Sequence, residues 1–157
     1  MTVRTEPRFP TVTGETLTGR TLELPGDFGA PLNLVFVAFR RRQQAEVDSW
    51  LPAAAAVEAE FEGVRYYELP VISRLYAPAR RFIDGGMRAG VADADARDRT
   101  VTVYTDKRVL RRALDIDTES RVHAVLVDRD GAVYWRAAGP KTAAAVDRLR
   151  ETVASLR

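Results

Sequence analysis

Apolar and polar positions change their spacing along this chain, and each change predicts the boundary of a structural element. Residues 32–39 are apolar except for Asn33, which is typical of a central strand covered on both faces. Across residues 43–61 the apolar positions recur three and four residues apart, which predicts a helix. Pro52 lies inside that helical pattern, so we expect it to kink the helix or to start a second segment.

The remaining sequence alternates between strand-like and helix-like segments that are separated by turn residues. The predicted strands are a short hairpin from Val12 to Leu24 closed by Pro25-Gly26, residues 64–69 stopped by Pro70, residues 100–105, and a hairpin of residues 122–127 and 132–136. The predicted helices are one from Ser73 to Ile83 ended by Gly85-Gly86, a short one capped by Asp106, and a last one opened by Gly139-Pro140. The polar residues 92–99 predict a loop.

This order of elements predicts one α/β domain that spans residues 1–157. After the first hairpin, strands and helices alternate, and the chain ends in a second hairpin followed by a helix. Such an order favours a central mixed sheet with helices on both faces and an N-terminal hairpin extension. A chain of 157 residues is long enough to bury a core of its own.

Charge and composition argue against several classes of function. The formal net charge is only +2, so no bulk attraction to nucleic acid or to a membrane surface is expected. No apolar stretch approaches the roughly 20 residues of a membrane-spanning helix, and the first residues lack the apolar core of a signal peptide. We therefore expect a cytoplasmic protein without a transmembrane segment. The sequence contains no cysteine.

The predicted arrangement is that of a thioredoxin-like protein, extended at its N-terminus as in peroxiredoxin-like members. In redox-active proteins of this kind, the turn between a central strand and the following helix carries the reactive cysteines. Here that turn reads Arg40-Arg41-Arg42-Gln43-Gln44. Thiol–disulfide exchange requires a thiolate, so this chain cannot perform it. The proline that redox members place before the closing hairpin is also missing, since Arg121 and Val122 stand there.

Several segments share a pattern with one known family. They are Phe9-Pro10-x-Val12-x-Gly14, Leu17-x-Gly19-Arg20, Leu22-x-Leu24-Pro25, Gln43-Gln44 with Asp48-Ser49-Trp50, Gly86-Met87-Arg88-Ala89-Gly90-Val91, and the closing hairpin from Val125 to Gly139. Together they resemble the mitochondrial ATP synthase assembly factor family with a thioredoxin-like domain. The resemblance implies a cysteine-free thioredoxin fold that binds or chaperones a protein, such as a subunit of a membrane complex. The lack of a targeting sequence argues against transferring the mitochondrial role.

Three consecutive arginines, Arg40, Arg41 and Arg42, are the first candidate for a functional site. They lie where a central strand leads into a helix, and the N-terminal end of a helix presents free N–H groups to anions. Guanidinium groups bind carboxylate and phosphate groups through paired hydrogen bonds. We therefore predict a site for an anion or an acidic partner, with a merely solvated turn as the alternative.

Residues on either side of this turn complete the predicted binding site. The two glutamines would add hydrogen bonds, while the segment 86–91 and the loop before the closing hairpin would flank the turn in this fold. The predicted binding residues are Arg40, Arg41, Arg42, Gln43, Gln44, Met87, Arg88, Arg121 and Val122.

Two further groups of titratable residues receive structural interpretations. His123 is the only histidine, and a single histidine on a strand is more typical of a core or sheet-face position than of catalysis or metal binding. Asp93, Asp95 and Asp98 are spaced loosely like calcium ligands but lack the glycine and glutamate of a calcium loop. We therefore predict no catalytic residue, no metal and no cofactor.

Aromatic and basic pairs predict exposed surfaces. Tyr134 and Trp135 are neighbours on a strand, so one faces the core and the other faces outward. The pairs Arg80-Arg81 and Arg111-Arg112 lie on helices with apolar opposite faces, which predicts solvated surfaces. A nucleic-acid surface would require both pairs beside the three arginines, and the balancing acidic residues argue against it.

These observations lead to three hypotheses of different classes. The first is a redox-inactive binding or assembly module for a protein partner. The second is an enzyme without thiol chemistry, or a sensor, that binds a small anionic ligand at Arg40–Gln44, with Glu46 or Asp48 as a base. The third is a homodimeric structural protein that uses its exposed aromatic residues.

Overall fold

The computed structural model describes residues 7–73 and 94–156, so most of the predicted helix from Ser73 to Ile83 lies outside the described residues. The strands are β1 Val12–Thr16, β2 Thr21–Leu24, β3 Leu32–Ala38, β4 Val64–Ile72, β5 Val101–Tyr104, β6 His123–Asp128 and β7 Val133–Ala138. The helices are α1 Gln44–Glu60, α2 Ala94–Arg99, α3 Lys107–Leu114 and α4 Ala143–Ser155, and a 3-10 turn at Arg41–Gln43 precedes α1.

The seven described strands form one mixed sheet in the order β2-β1-β5-β4-β3-β6-β7. β4 pairs in parallel with both β3 and β5, whereas the other neighbours pair antiparallel. The N-terminal hairpin of β1 and β2 extends the sheet beyond β5. The predicted mixed sheet with an N-terminal hairpin extension is therefore confirmed.

Helices cover both faces of this sheet because side chains of β3 alternate between two cores. Leu34 and Phe36 pack in a cluster with apolar residues of α1 and α4. Val35 and Val37 pack on the opposite face with apolar residues of α3 and of the N-terminal segment. Such burial on both sides explains why the sequence of β3 is almost continuously apolar.

The two tryptophans connect α1 to the closing hairpin. Trp50 and Trp135 meet edge to face with ring centroids 5.8 Å apart, and Trp50 Nε1 donates to the Gly139 carbonyl at 3.0 Å. Trp135 is 7% exposed and Tyr134 is 41% exposed, which confirms the predicted split across the strand. Asp106 also caps α3 as predicted, since its carboxylate accepts from the Arg108 amide.

The structure differs from the sequence prediction at two prolines and at the first turn. β4 continues through Pro70, which has no N–H to donate. Pro70 pairs with Ala38 in the last pair of the β3–β4 ladder, so the missing donor interrupts no hydrogen bond between the two strands. α1 is a single helix that contains Pro52 on its exposed side, so no second segment begins there. The first hairpin turns at residues 17–20, with Gly19 at φ +91°, and Pro25 follows β2 instead of closing the hairpin.

Part of the predicted polar loop at 92–99 is the helix α2. Arg99 lies one turn after Asp95, and its Nε donates to Asp95 Oδ2 at 2.7 Å. The same guanidinium donates to both carboxylate oxygens of Glu58, at 2.6 and 2.7 Å, and lies 4.2 Å from the Tyr66 ring centroid. These tertiary contacts with α1 and β4 stabilise a helix that lacks an apolar stripe.

Candidate binding surface at the end of β3

The three arginines occupy the turn that joins β3 to α1. Arg40 has extended backbone, with φ −142° and ψ 142°, and the 3-10 turn Arg41–Gln43 leads directly into α1. All three arginine side chains are exposed, and none forms an ion pair with another described residue. We call Arg40, Arg41 and Arg42 the arginine turn.

Gln43 belongs to the same turn but is only 1% exposed. Its Oε1 accepts from the backbone amides of Phe39 and Arg40, at 2.9 and 3.3 Å. Its Nε2 donates to the Glu119 carbonyl at 2.6 Å, in the loop that precedes β6. Gln43 therefore holds the backbone of the arginine turn from the buried side, and the predicted contribution of its hydrogen bonds to a partner is wrong, since these bonds are made within the chain.

Gln44 faces outward and is engaged by two carboxylates. Its Nε2 donates to Asp48 Oδ1 at 2.9 Å and to Glu68 Oε1 at 3.0 Å. Burial raises the pKa of Glu68, the hydrogen bond from Gln44 lowers it, and the nearby charge of Asp48 raises it. The β4 side of the turn is thus acidic and internally hydrogen-bonded.

Two basic residues of α3 support the turn from the other side. Lys107 Nζ donates to the Phe39 carbonyl at 2.9 Å, which satisfies the last backbone acceptor before the arginine turn. Glu119 lies 3.9 Å from Lys107 Nζ and 3.1 Å from Arg111 Nη1. These two cations serve the backbone and Glu119, in contrast to the three arginines.

Arg121 and Val122 reach the same end of the sheet, because His123 at the start of β6 pairs with Val37 near the end of β3. Arg121 is exposed, but Val122 is fully buried. The Val122 amide donates to Glu46 Oε1 at 3.3 Å, and its carbonyl accepts from the Gly139 amide at 2.8 Å. Of the two predicted binding residues, Arg121 is therefore exposed and available to a partner. The buried Val122 instead fixes the backbone next to Arg121.

The remaining predicted site residues fall in two groups. Met87 and Arg88 lie outside the described residues. Glu46 and Asp48, the bases of the enzyme hypothesis, accept hydrogen bonds from a backbone amide and from the Gln44 amide, respectively. Both contacts are those of structural acceptors, and they add no support for a catalytic base.

The aspartates considered as metal ligands make ion pairs instead. Asp98 accepts from Arg20 at 2.9 Å and from Arg65 at 3.3 Å, while Asp95 is held by Arg99. Asp93 lies outside the described residues. Among residues 7–73 and 94–156, no cluster of three or more acidic or histidine side chains has the arrangement of a metal site.

Sequence reasoning misses the role of the segment that begins at the last residue of α3 and leads toward β6. All six consecutive carbonyls of residues 114–119, which we call the carbonyl loop, accept hydrogen bonds from side chains. The donors are Arg136 to Leu114 and Asp115 at 2.7 and 3.2 Å, Arg111 to Ile116 and Asp117 at 3.4 and 2.9 Å, His123 to Thr118 at 2.9 Å, and Gln43 to Glu119 at 2.6 Å. The basic pair Arg111-Arg112 is thus only half solvated, because Arg111 is a structural donor.

His123 occupies a buried position, 7% exposed, next to the carbonyl loop. Its ring meets the Phe39 ring edge to face, with centroids 6.3 Å apart. Burial is the main cause of its lowered pKa; the bond to the Thr118 carbonyl and the charge of Asp117 oppose the shift, and Arg121 and Arg136 add to it. The predicted core or sheet-face position of this histidine agrees with these contacts.

Within the described residues, no helix combines the length and apolar character that a membrane crossing requires.

Comparison with known proteins identifies the fold. No family model matches the sequence, and no curated protein matches it either. The structure is similar to that of BsSco, a member of the Sco family of cytochrome c oxidase assembly proteins, with TM-score 0.64, 13% identity, and coverage of 99% of this chain and 96% of that one.

Two further solved structures are redox proteins. The thioredoxin domain of a thiol-disulfide oxidoreductase from Bacteroides vulgatus matches with TM-score 0.56, 20% identity and 99% of both chains covered. A secreted Mycobacterium tuberculosis disulfide oxidoreductase homologous to E. coli DsbE matches with TM-score 0.53, 15% identity, and coverage of 92% of this chain and 96% of that one.

These similarities correct the family suggested by the sequence segments. The similar structures are Sco and thiol-disulfide oxidoreductase proteins and not mitochondrial ATP synthase assembly factors, so that family assignment is wrong. The segments behind it, such as the Asp128–Gly131 turn and the strand tryptophan Trp135, serve the fold, and features of the fold do not distinguish one family from another. The chain has a thioredoxin-like α/β fold in which three exposed arginines occupy the turn after the central strand β3.

Proposed function

We propose that this protein is a redox-inactive thioredoxin-fold module that binds an acidic segment of a protein partner through the arginine turn, with Arg121 at the edge of the surface. One observation carries the proposal. The three guanidinium groups of the turn are exposed and without ion-pair partners in the described residues, whereas Lys107 and Arg111 directly behind them are bound to Phe39 and Glu119.

The geometry of the turn favours carboxylate recognition over simple solvation. Gln43 and Lys107 hold the backbone of Phe39 and Arg40 from inside, so the turn needs little ordering when a partner binds. A preorganised surface loses less conformational entropy on association. Each guanidinium can then form paired, charge-assisted hydrogen bonds with a carboxylate.

The proposal excludes thiol chemistry because the chain contains no cysteine. One protein of similar fold is described as a member of an assembly protein family, which supports a role in binding another protein. Others are thiol-disulfide oxidoreductases, and this chain shares their fold without the residue type that their chemistry requires.

Charge reversal at the turn tests the proposal directly. The variant Arg41→Glu/Arg42→Glu and the wild type are titrated into a fluorescein-labelled decaglutamate peptide, with fluorescence anisotropy as the readout. Loss of two charge-assisted contacts should weaken binding by about a hundredfold or more, since each such bond contributes roughly 1.5–3 kcal/mol and every 1.4 kcal/mol is about tenfold. The melting temperature should stay unchanged, because both side chains are exposed and unpaired in the described structure.

A matched control separates a defined surface from overall charge. Arg112→Glu/Arg148→Glu changes the net charge by the same amount at two other exposed arginines, and it should leave peptide binding within a factor of about two. Equal weakening by both variants would overturn the proposal. Competition by inorganic phosphate as strong as by the peptide would replace it with the small-anion hypothesis.

Three expectations accompany this proposal. Met87 and Arg88 would extend the same surface, which their substitution by alanine in the peptide assay would show as weaker binding. A cytoplasmic location and a homodimer are further predictions. Light scattering of the purified chain measures the dimer, and fractionation of cells measures the location.

A further inference from the structure

A second site lies on the face of the sheet opposite α1; it shares Arg121 with the proposed partner surface but does not rest on the proposed function. A cleft of about 390 Å³ opens between the carbonyl loop and strands β6 and β7, a volume within the usual range of roughly 300–1,000 Å³ for small-ligand sites. Its floor is apolar and includes Leu114, Ile116 and Val125. Its polar lining consists of two carboxylates, two guanidinium groups and one imidazole, from Asp115, Asp117, Arg121, Arg136 and His123.

The wall of this cleft is already ordered. Every carbonyl of the carbonyl loop accepts a side-chain hydrogen bond, from Arg136, Arg111, His123 or Gln43. A loop has no ladder partners for its carbonyls, so they must be satisfied by side chains or by water. Because these carbonyls are bound within the protein, the backbone that carries the side chains of the loop is held in one conformation.

His123 is one of the residues that line the cleft, and one of its ring nitrogens is an unused acceptor. Its Nε2 must donate, because its partner at 2.9 Å is the Thr118 carbonyl, and a neutral imidazole carries only one N–H. Its Nδ1 then holds a lone pair, for which the described residues supply no donor. Within the described structure, the buried side-chain nitrogens that lack a hydrogen bond are Trp135 Nε1 and Arg150 Nε, the second of which lies 3.1 Å from Glu60 Oε2. Nδ1 of His123 is not among them, and His123 lines the open cleft.

The charges around Nδ1 divide into a paired set and a free set. Arg136 donates to two carbonyls and lies 3.8 Å from Asp115 Oδ2, so these two charges offset each other. Asp117 and Arg121 are exposed and have no ion-pair partner among the described residues. The cleft therefore offers one carboxylate, one guanidinium, one neutral acceptor nitrogen and an apolar floor.

We propose that this cleft binds the zwitterion of an α-amino acid with an apolar side chain. The ammonium group contacts Asp117 and donates to Nδ1 of His123, and the carboxylate pairs with Arg121. The apolar side chain covers Leu114, Ile116 and Val125. A ligand with a single charge would leave either Asp117 or Arg121 without a partner.

The single histidine makes the test specific. The ¹H–¹³C signal of the His123 ring is followed by NMR while L-leucine, L-leucine amide or N-acetyl-L-leucine is added to the wild-type protein. L-leucine should shift this signal saturably. The amide lacks the carboxylate and the acetylated compound lacks the ammonium, so each should bind at least about tenfold more weakly.

Two exposed cleft residues and one distant control complete the experiment. Asp117→Asn should remove the preference for L-leucine over N-acetyl-L-leucine, and Arg121→Gln should remove the preference over L-leucine amide. Arg42→Gln, in the arginine turn, should leave all three titrations unchanged. No saturable shift with L-leucine, or equal binding of N-acetyl-L-leucine by the wild type, would overturn the inference without bearing on the arginine turn.

Discussion

The arginine turn and the carbonyl loop lie at the same end of the sheet and use the same residue type in opposite ways. In the carbonyl loop, Arg111 and Arg136 supply four of the six hydrogen bonds that satisfy consecutive backbone carbonyls. In the arginine turn, three guanidinium groups project outward and form no ion pair with the described residues. The comparison shows that the number of arginines in a segment does not indicate their role. An arginine whose hydrogen bonds go to the backbone stabilises the fold, whereas an exposed arginine without such bonds is available to bind a partner.

The physical reason for the difference is the backbone beneath each segment. The arginine turn passes into a helix, and its amides at Phe39 and Arg40 are satisfied by one buried side chain, Gln43. The carbonyl loop contains the left-handed residue Asp115, at φ 54°, directly after the last residue of α3, and it forms no regular ladder that would pair its carbonyls. Long side chains with several donors replace that ladder.

The largest predicted effect is at Gln43, which links the two regions. Gln43→Ala removes the acceptor of two backbone amides and the donor to the Glu119 carbonyl. A buried unpaired group costs about 1–3 kcal/mol. The Phe39 amide bond is buried and the other two bonds are only partly buried, so we expect the free energy of unfolding to fall by about 2–4 kcal/mol in urea denaturation.

Its neighbour provides the control for this measurement. Gln44→Ala removes an exposed amide whose hydrogen bonds within residues 7–73 and 94–156 go to the side chains of Asp48 and Glu68, and it should cost less than about 1 kcal/mol. Similar losses for the two variants would contradict the structural role assigned to Gln43.

The contrast between these adjacent glutamines also shows what sequence patterns reveal. The apolar run at 32–39 and the helical spacing at 43–61 predict β3 and α1 because burial on one or both faces leaves a periodic signal. Nothing in that signal distinguishes Gln43 from Gln44, since the burial of Gln43 depends on Glu119, which is 76 residues away. The location of the arginine turn was therefore predictable, and its internal support was not.

Local polarity misleads in the same way at α2. The residues at 92–99 have no apolar stripe, which predicts a loop, yet Arg99 is 7% exposed and pairs with Glu58 of α1. Pairing of opposite charges across 41 residues replaces the apolar contacts that normally hold a helix. Tertiary contacts of this kind leave no periodic trace in the sequence.

A smaller effect is expected at Arg111, within the carbonyl loop region. Arg111→Met keeps the aliphatic stem but removes the hydrogen bonds to Ile116, Asp117 and Glu119. Since this guanidinium is partly solvated, we expect a loss of about 1–2 kcal/mol in the free energy of unfolding. Arg112→Met is the matched control on the same helix, where an exposed side chain should change stability by less than about 0.5 kcal/mol. If Arg112→Met lowers the free energy of unfolding more than Arg111→Met does, the structural role assigned to Arg111 is wrong.

The smallest effect concerns the histidine that joins the carbonyl loop to β6. Burial lowers the pKa of His123 below its ordinary value of 6.5, so the unfolded chain binds a proton more readily than the folded chain. Neutral His123 therefore makes its full contribution to the free energy of unfolding above about pH 6.5. This contribution is lost as the pH falls from there through the folded pKa, by at most about 1.4 kcal/mol per pH unit. His123→Gln should abolish this loss between pH 7.5 and 5.5, measured as the difference between urea-unfolding free energies of variant and wild type.

Subtraction of the two pH profiles isolates the histidine from the carboxylates. The pKa of Glu68 is raised mainly by burial, so its protonated form is favoured in the folded chain. Its contribution to the free energy of unfolding therefore declines as the pH rises, which is opposite to that of His123. Glu68 is present in both proteins and cancels in the difference. Asp128, whose pKa is lowered below 3.8 by hydrogen bonds that outweigh its burial, titrates below the window. A wild-type profile parallel to that of His123→Gln would mean that the imidazole is not buried as a neutral donor to Thr118, and the carbonyl loop would then lose one of its six donors.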